Sequence, residues 1–198
     1  MRKLIVGITG ATGAIFGIRL LEALRAADVE SHLIISKWGQ QTIEHETGYM
    51  TSQVRELATV CYEQGNLGAA ISSGSFQTEG MVIMPCSVRT LGAIAHGFGD
   101  NLIHRAADVV LKERRRLVLG VRETPFNEIH LENMLKLARM GTTIMPLMPA
   151  FYNQPATLDD IVDHLVARTL DQFGIAADFA KRWTGEMHGK VTRLGPKS

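Results

Sequence analysis

The chain has 198 residues, 45% of them hydrophobic and 21% charged, with a formal net charge of +1. That length suits one well-buried α/β domain and is short for two. The near-neutral balance, without an acidic or basic block, argues against nucleic acid or an anionic membrane as a general partner, and the two cysteines suit a reducing compartment better than a disulfide framework.

Residues 4–8 form a short apolar, β-rich run that breaks into Thr9-Gly10-Ala11-Thr12-Gly13, and helical spacing takes over from Ile15 to Ala27. Strand, glycine turn and helix in this order aim backbone N–H groups and a helix N-terminus at one spot, which is how α/β proteins hold a phosphate. The glycines at 7, 10, 13 and 17 do not spell G-x-G-x-x-G. Arg2-Lys3 before the apolar run imitates a signal peptide, but Thr9, Thr12 and Arg19 interrupt it. No stretch approaches the roughly 20 apolar residues of a membrane span, so a soluble, cytoplasmic protein is expected.

A second strand is predicted at 32–35 and ends in Ser36-Lys37. Dinucleotide enzymes place an acidic residue there for the ribose hydroxyls, so a ligand with a single phosphate, such as FMN, fits better than NAD. Helices near 38–48 and 51–57 follow, then a short strand at 60–62. The irregular stretch 65–78, with Ser72-Ser73-Gly74-Ser75-Phe76, has a length that is more often functional than idle. A strand at 80–84 leads into Pro85-Cys86-Ser87-Val88-Arg89-Thr90. Ser87 and Thr90 open a helix over 88–96, where their hydroxyls either cap it or cradle an anion. Cys86 has no partner base in the sequence and reads as a small buried residue.

In the helix predicted over 101–114, Arg105, Asp108 and Lys112 share one face. They form either a solvated stripe with an Asp108–Lys112 ion pair, or two cations reaching one phosphate with Asp108 orienting them. The strand at 117–121 ends in Arg122-Glu123, a charged pair that packing seldom explains. A helix at 128–140, a strand at 143–148 and the segment Pro149-Ala150-Phe151-Tyr152 come next. The last helix, 158–173, has Thr157 as its N-cap with Asp159 and Asp160 in the first turn, and carries Arg168. Taken singly, Tyr152 and Arg168 read as surface residues.

Alternation of this kind, with strands apolar enough to be covered on both faces, predicts a single α/β domain: a doubly wound parallel sheet, flavodoxin- or Rossmann-like, with helices on each side. Ligands of such sheets sit beyond the carboxyl ends of the strands, so Gly10–Gly13, Ser36-Lys37, Pro85–Thr90, Arg122–Pro125 and Pro149–Tyr152 form the candidate rim. The seven histidines show no H-x-H, H-E-x-x-H or Cys/His cluster, and no metal is expected.

VGITGATGAIFG, ISSGSFQT, MPCSVRTL, RAADVVLKERR, LVLGVRETP and PAFYNQP, in this order, resemble the UbiX-type flavin prenyltransferases, part of which were formerly called phenylacrylic or aromatic acid decarboxylases. The resemblance covers roughly residues 3–185 and leaves out the basic, glycine-containing tail 186–198, which is expected to be flexible. It implies a flavodoxin-like fold, a homododecamer with sites between subunits, and no metal. It also implies transfer of the dimethylallyl group of dimethylallyl phosphate to N5 and C6 of reduced FMN, the product then serving a UbiD-type decarboxylase.

Carried over residue by residue, the resemblance assigns FMN to Gly10, Ala11, Thr12, Ser36, Ser87, Val88, Arg89, Thr90 and Arg122. It assigns the prenyl phosphate to Arg105, Lys112, Glu123, Tyr152 and Arg168, and makes Glu123, Lys112 and Glu46 the catalytic candidates. Thr12 stands where many members have Ser, which keeps the hydroxyl and adds a methyl that stiffens χ1. Arg89 stands where relatives vary. Two other readings stay open: direct decarboxylation of an aromatic or phenolic acid, and an FMN carrier without chemistry. A flavin-dependent cysteine decarboxylase fits poorly, since PCSVRT stands in place of PASANT and no PxMN occurs.

Overall fold

The computed structural model of the chain describes residues 2–183. The domain boundary expected at 185 and the tail 186–198 lie outside the described residues. Six strands, β1 (Lys3–Ile8), β2 (Glu30–Ile35), β3 (Val60–Tyr62), β4 (Gly80–Cys86), β5 (Arg116–Val121) and β6 (Thr143–Ile144), pair in parallel in the order β3-β2-β1-β4-β5-β6. The chain winds outward from β1 to β3 and returns to lay β4 against the other side of β1, with Ile5 opposite Met81 and Gly7 opposite Ile83. The connections leaving the carboxyl ends of β1 and β4 therefore run to opposite faces of the sheet, which opens a crevice at that point.

Among the described residues, seven helices cover the sheet: α1 (Ala14–Ala26), α2 (Lys37–Glu46), α3 (Thr51–Leu57), α4 (Val88–Ala95), α5 (Leu102–Lys112), α6 (Glu128–Arg139) and α7 (Leu158–Asp171). Side chains alternate across a strand, so one strand feeds both cores. Leu4, Val6 and Ile8 join Ile18 and Leu24 of α1, Ile43 of α2 and Val166 of α7 on one face. Ile5, Met81 and Ile83 join Leu91 of α4, Ile103 and Val110 of α5 and Leu137 of α6 on the other. Each such aliphatic side chain contributes about 1.5–3 kcal/mol on burial. One consequence matters below: α5 and α7 pack on opposite faces.

The strand expected over 143–148 forms a ladder only at Thr143–Ile144. Beyond it the N–H groups of Met145 and Leu147 still donate to the carbonyls of Leu119 and Val121, at 2.9 and 3.3 Å. Pro146 between them has no N–H, and the edge strand loses its regularity there. In contrast, β4 runs two residues further than expected, through Pro85 and Cys86, with a register shift against β5 between Ile83 and Cys86. The stretch 65–78 holds a single 3₁₀ turn at Ala70–Ser72 and is fastened by Arg115, whose guanidinium donates to the carbonyls of Gly74 and Phe76 at 2.6 and 2.7 Å. No described helix is long and apolar enough to cross a membrane.

Candidate functional site

The crevice is stitched together at its floor by Thr9. Its Oγ1 donates to the Pro85 carbonyl at 2.8 Å and accepts the N–H of Ser87 at 2.9 Å, which fixes the end of β1 to the end of β4. Above it lies a cleft of about 530 Å³, whose walls include Gly10, Ser36, Ser87, Arg89 and Thr90. Three helices begin around this cleft. Ser36 caps α2 by accepting the Gly39 N–H at 2.9 Å. Ser87 caps α4 by accepting the Thr90 N–H at 3.3 Å, and its hydroxyl also donates to Thr90 Oγ1. Asn101 caps α5 by accepting the His104 N–H at 3.1 Å. Capping and lining the cleft are thus not alternatives for Ser87, which does both. The positive ends of three helices at one mouth favour an anion.

The cleft's charged groups are few. Lys37 and Arg89 face it from the first turns of α2 and α4, and Asp100 and His104 line the α5 side. Asp100 receives a hydrogen bond from His104 Nδ1 at 2.6 Å, and this holds its carboxyl below the usual range. Cys86 is fully buried, and desolvation pushes its thiol up to about 12, which leaves no thiolate for nucleophilic work.

The glycine turn does not present its amides as expected. Gly13, with φ of 97°, is the N-cap of α1, a left-handed conformation that favours glycine. The N–H groups of Gly13 and Ala14 donate to the Glu46 carboxylate, at 2.7 and 3.3 Å. A carboxylate from the end of α2 therefore takes the helix N-terminus that sequence reasoning gave to phosphate, and the anion-favouring ends are those of α2, α4 and α5. Gly10 keeps a steric role: a Cβ there would lie 2.4 Å from Cβ of Trp38, because the turn presses against the first turn of α2. Ala11 and Thr12 sit on the turn itself, buried and exposed respectively.

Arg122 and Glu123 line an adjoining cleft of about 380 Å³ with Phe126, Leu147 and Met148. Leu147 also comes within 3.8 Å of where a Cβ on Gly13 would stand, so the two clefts flank the glycine turn. One Glu123 oxygen accepts the Thr124 N–H at 3.0 Å. On α5, Arg105 pairs with Asp108 at 3.0 Å and Lys112 pairs with Glu113. The Asp108–Lys112 pair expected of a solvated stripe is replaced by these two. On the far face, Arg168 pairs with Asp171 at 3.0 Å, and the Tyr152 hydroxyl meets His164 Nε2 at 3.3 Å. A cavity of about 800 Å³ beside Glu79 and Arg114–Arg116 opens at the amino edge of the sheet and is lined by none of the rim residues.

A family model described as Flavoprotein matches residues 1–170. A probable UbiX-like flavin prenyltransferase of Bacillus subtilis is 61% identical over 183 residues, which is 92% of this chain and 90% of that one. The crystal structure of AnUbiX (PadA1) in complex with FMN and dimethylallyl pyrophosphate superposes with a TM-score of 0.93 at 50% identity, covering 94% of this chain and 99% of that one. The dodecameric FMN-dependent UbiX-like decarboxylase of Escherichia coli O157:H7 has a TM-score of 0.91 at 57% identity, over 92% of this chain and 100% of that one.

The chain belongs to the UbiX-like flavin prenyltransferase family.

In this UbiX-like chain the flavin-side candidates Gly10, Ser36, Ser87, Arg89 and Thr90 meet in one cleft, with Val88 in the first turn of α4 and Arg122 next door. The phosphate-side candidates are split. Arg105 and Lys112 ride on α5, Tyr152 and Arg168 on or before α7, and the sheet stands between them. Sequence reasoning missed Thr9, Trp38, Gln64, Asp100, Asn101 and His104 as cleft residues. Thr9 was within reach, as the last residue before the turn. The α5 residues were not, because α5 follows another helix and the strand-end rule does not point to it.

Proposed function

We propose that the protein is a flavin prenyltransferase, joining the dimethylallyl group of dimethylallyl phosphate to N5 and C6 of reduced FMN. The observation that carries this reading is the 530 Å³ cleft above the joined carboxyl ends of β1 and β4, ringed by three helix N-termini and the hydroxyls of Ser36, Ser87 and Thr90. Its volume suits a ligand of flavin size. Its donors suit one phosphate and a polyol chain, and the second strand ends in Ser36 rather than the acid an NAD ribose needs. The FMN and dimethylallyl pyrophosphate named for the AnUbiX relative are ligands of this same chemistry.

Reduced FMN supplies the two nucleophilic ring positions and a π face beside the allylic carbon. The remaining work falls to the chain. Cleavage of the allylic C–O bond leaves its electron pair on the phosphate ester oxygen, and Arg105, Lys112 and Arg168 are the cations that stabilise the departing phosphate. Glu123 has one oxygen occupied by the Thr124 N–H and uses the other to take the ring proton lost on closure. Glu46, anchored on Gly13 and Ala14, keeps a fixed negative charge beside the glycine turn.

Arg105 and Lys112 cannot reach Tyr152 and Arg168 within one chain, so the phosphate site is completed between copies of this chain in a homo-oligomer, and a dodecamer is the assembly we assign. The product serves a UbiD-type decarboxylase in the cytoplasm. Incubation with reduced FMN and dimethylallyl phosphate, followed by mass spectrometry of the flavin, tests the reaction; a parallel arm with the diphosphate fixes the donor. A flavin heavier by one dimethylallyl unit is expected. Unchanged flavin together with loss of carbon dioxide from a phenolic acid would establish the direct decarboxylase instead.

A further inference from the structure

We infer that Gln64 sets the width of the flavin cleft by tying together the first turns of the two helices on either side of it, α2 and α5. The inference rests on the FMN reading above. Gln64 lies just past β3 and is half-buried at the cleft wall. Its side-chain Oε1 accepts the N–H of Lys37, the first residue of α2, at 2.9 Å. Its backbone carbonyl accepts the N–H of Leu102, the first residue of α5, also at 2.9 Å. Both donors are first-turn amides that have no partner inside their own helix.

The bodies of these helices do not hold each other. Ile43 anchors α2 in the core on one face of the sheet, and Ile103 anchors α5 in the core on the other. Their starts meet over the carboxyl edge, and Gln64 bridges them there. An amide suits the position because it accepts a hydrogen bond without adding a negative charge that would compete with a phosphate for the same helix ends. Its Nε2 has no hydrogen-bond partner among the described residues, which leaves a donor at the cleft wall. Gln64 is thus a positioning residue, acting on FMN through the placement of Ser36, Lys37 and Asn101.

Gln64→Met keeps the length of the side chain and the backbone bond to Leu102, and removes the tie to Lys37 together with the Nε2 donor, a second loss that the Lys37 variants below separate from the first. In the full-length protein, the Kd for FMN by calorimetry and the KM for reduced FMN are expected to rise about three- to tenfold, the scale of one hydrogen bond. The kcat and the KM for dimethylallyl phosphate should stay within about twofold of the parent. Lys37→Pro deletes the donor from the other side. Proline is favoured at a first helical position, and the extended Ser36 before it (φ −69°, ψ 157°) accepts it. Lys37→Ala, which keeps the N–H, corrects for the lost charge.

On the Lys37→Pro background, Gln64→Met should cost nothing further. A Kd for FMN in Gln64→Met within twofold of the parent, or tighter, would overturn the inference; tighter binding would mean that Oε1 merely competes for the Lys37 amide. A fully additive double variant would overturn it as well. Should the parent itself fail to bind FMN, the functional reading falls rather than the tie.

Discussion

Because the sheet of a single chain separates α5 from α7, two inactive variants should rescue each other when assembled together. On the proposed reading, Lys112→Ala and Arg168→Ala each remove one cation assigned to the departing phosphate, and each alone should lower turnover about 100- to 1000-fold while leaving FMN binding nearly unchanged. In a site completed between copies, Lys112 comes from one chain and Arg168 from another. In an oligomer co-assembled from equal amounts of the two variants, about half of the chains at each position carry the intact residue, so about one quarter of the sites regain both. The mixed oligomer should then turn over at about a quarter of the parent rate, at least about 25-fold above either variant alone. Co-expression with two different tags, tandem purification and the flavin mass assay measure this. Inactive single variants with no recovery in the mixture would place both residues in one chain's site and refute the argument from the two faces of the sheet. Single variants within about threefold of the parent would show instead that Lys112 and Arg168 do not serve the phosphate, and would leave their pairs with Glu113 and Asp171 as surface ion pairs worth less than about 1 kcal/mol.

Thr9→Val removes the hydroxyl that accepts the Ser87 N–H, orphaning a donor at the cleft floor; a loss of about 1–3 kcal/mol and weaker FMN binding are expected from thermal melts and calorimetry. Gly10→Ala places a Cβ 2.4 Å from that of Trp38, so the turn and α2 must part, with a cost of about 1–3 kcal/mol and loss of FMN occupancy in the purified protein. Burial holds His32 below its ordinary 6.5, despite the opposing pull of its bond to Glu30. The unfolded chain then takes up this proton first as the pH falls through about 6.5, so stability drops on the acid side and rises with pH. Melting temperatures between pH 7.5 and pH 5.5, a span of about two units around that value, should fall less steeply for His32→Phe than for the parent.

Much of this protein is written in local sequence. The apolar run 80–84 reads as a strand covered on both faces and is buried throughout in β4, whereas the extension through Pro85 and Cys86 appears only in the structure. Thr157 and Ser87 cap helices by bonds to residues three positions on, as local spacing suggests; Ser36 and Asn101 do the same, although the sequence reading does not mark them as caps. Pro146, where the edge strand β6 loses its regularity, stands in the sequence too, and an extended reading over 143–148 gives it too little weight.

What the sequence could not decide depends on contacts between residues far apart in the chain. Glu46 reaches the amides of Gly13 and Ala14 across more than thirty positions, and so leaves the N-termini of α2, α4 and α5, not that of α1, as the ends that favour an anion. Gln64 joins residues 37 and 102, and no local pattern announces an acceptor used that way. The motif RAADVVLKERR identifies Arg105 and Lys112 as a pair, but only the packing of α5 and α7 on opposite faces shows that Tyr152 and Arg168 lie out of their reach. Local sequence fixes strands, turns and caps because their hydrogen bonds close within a few residues. The site is set by which faces the helices cover, and that follows from how the whole chain buries its two cores.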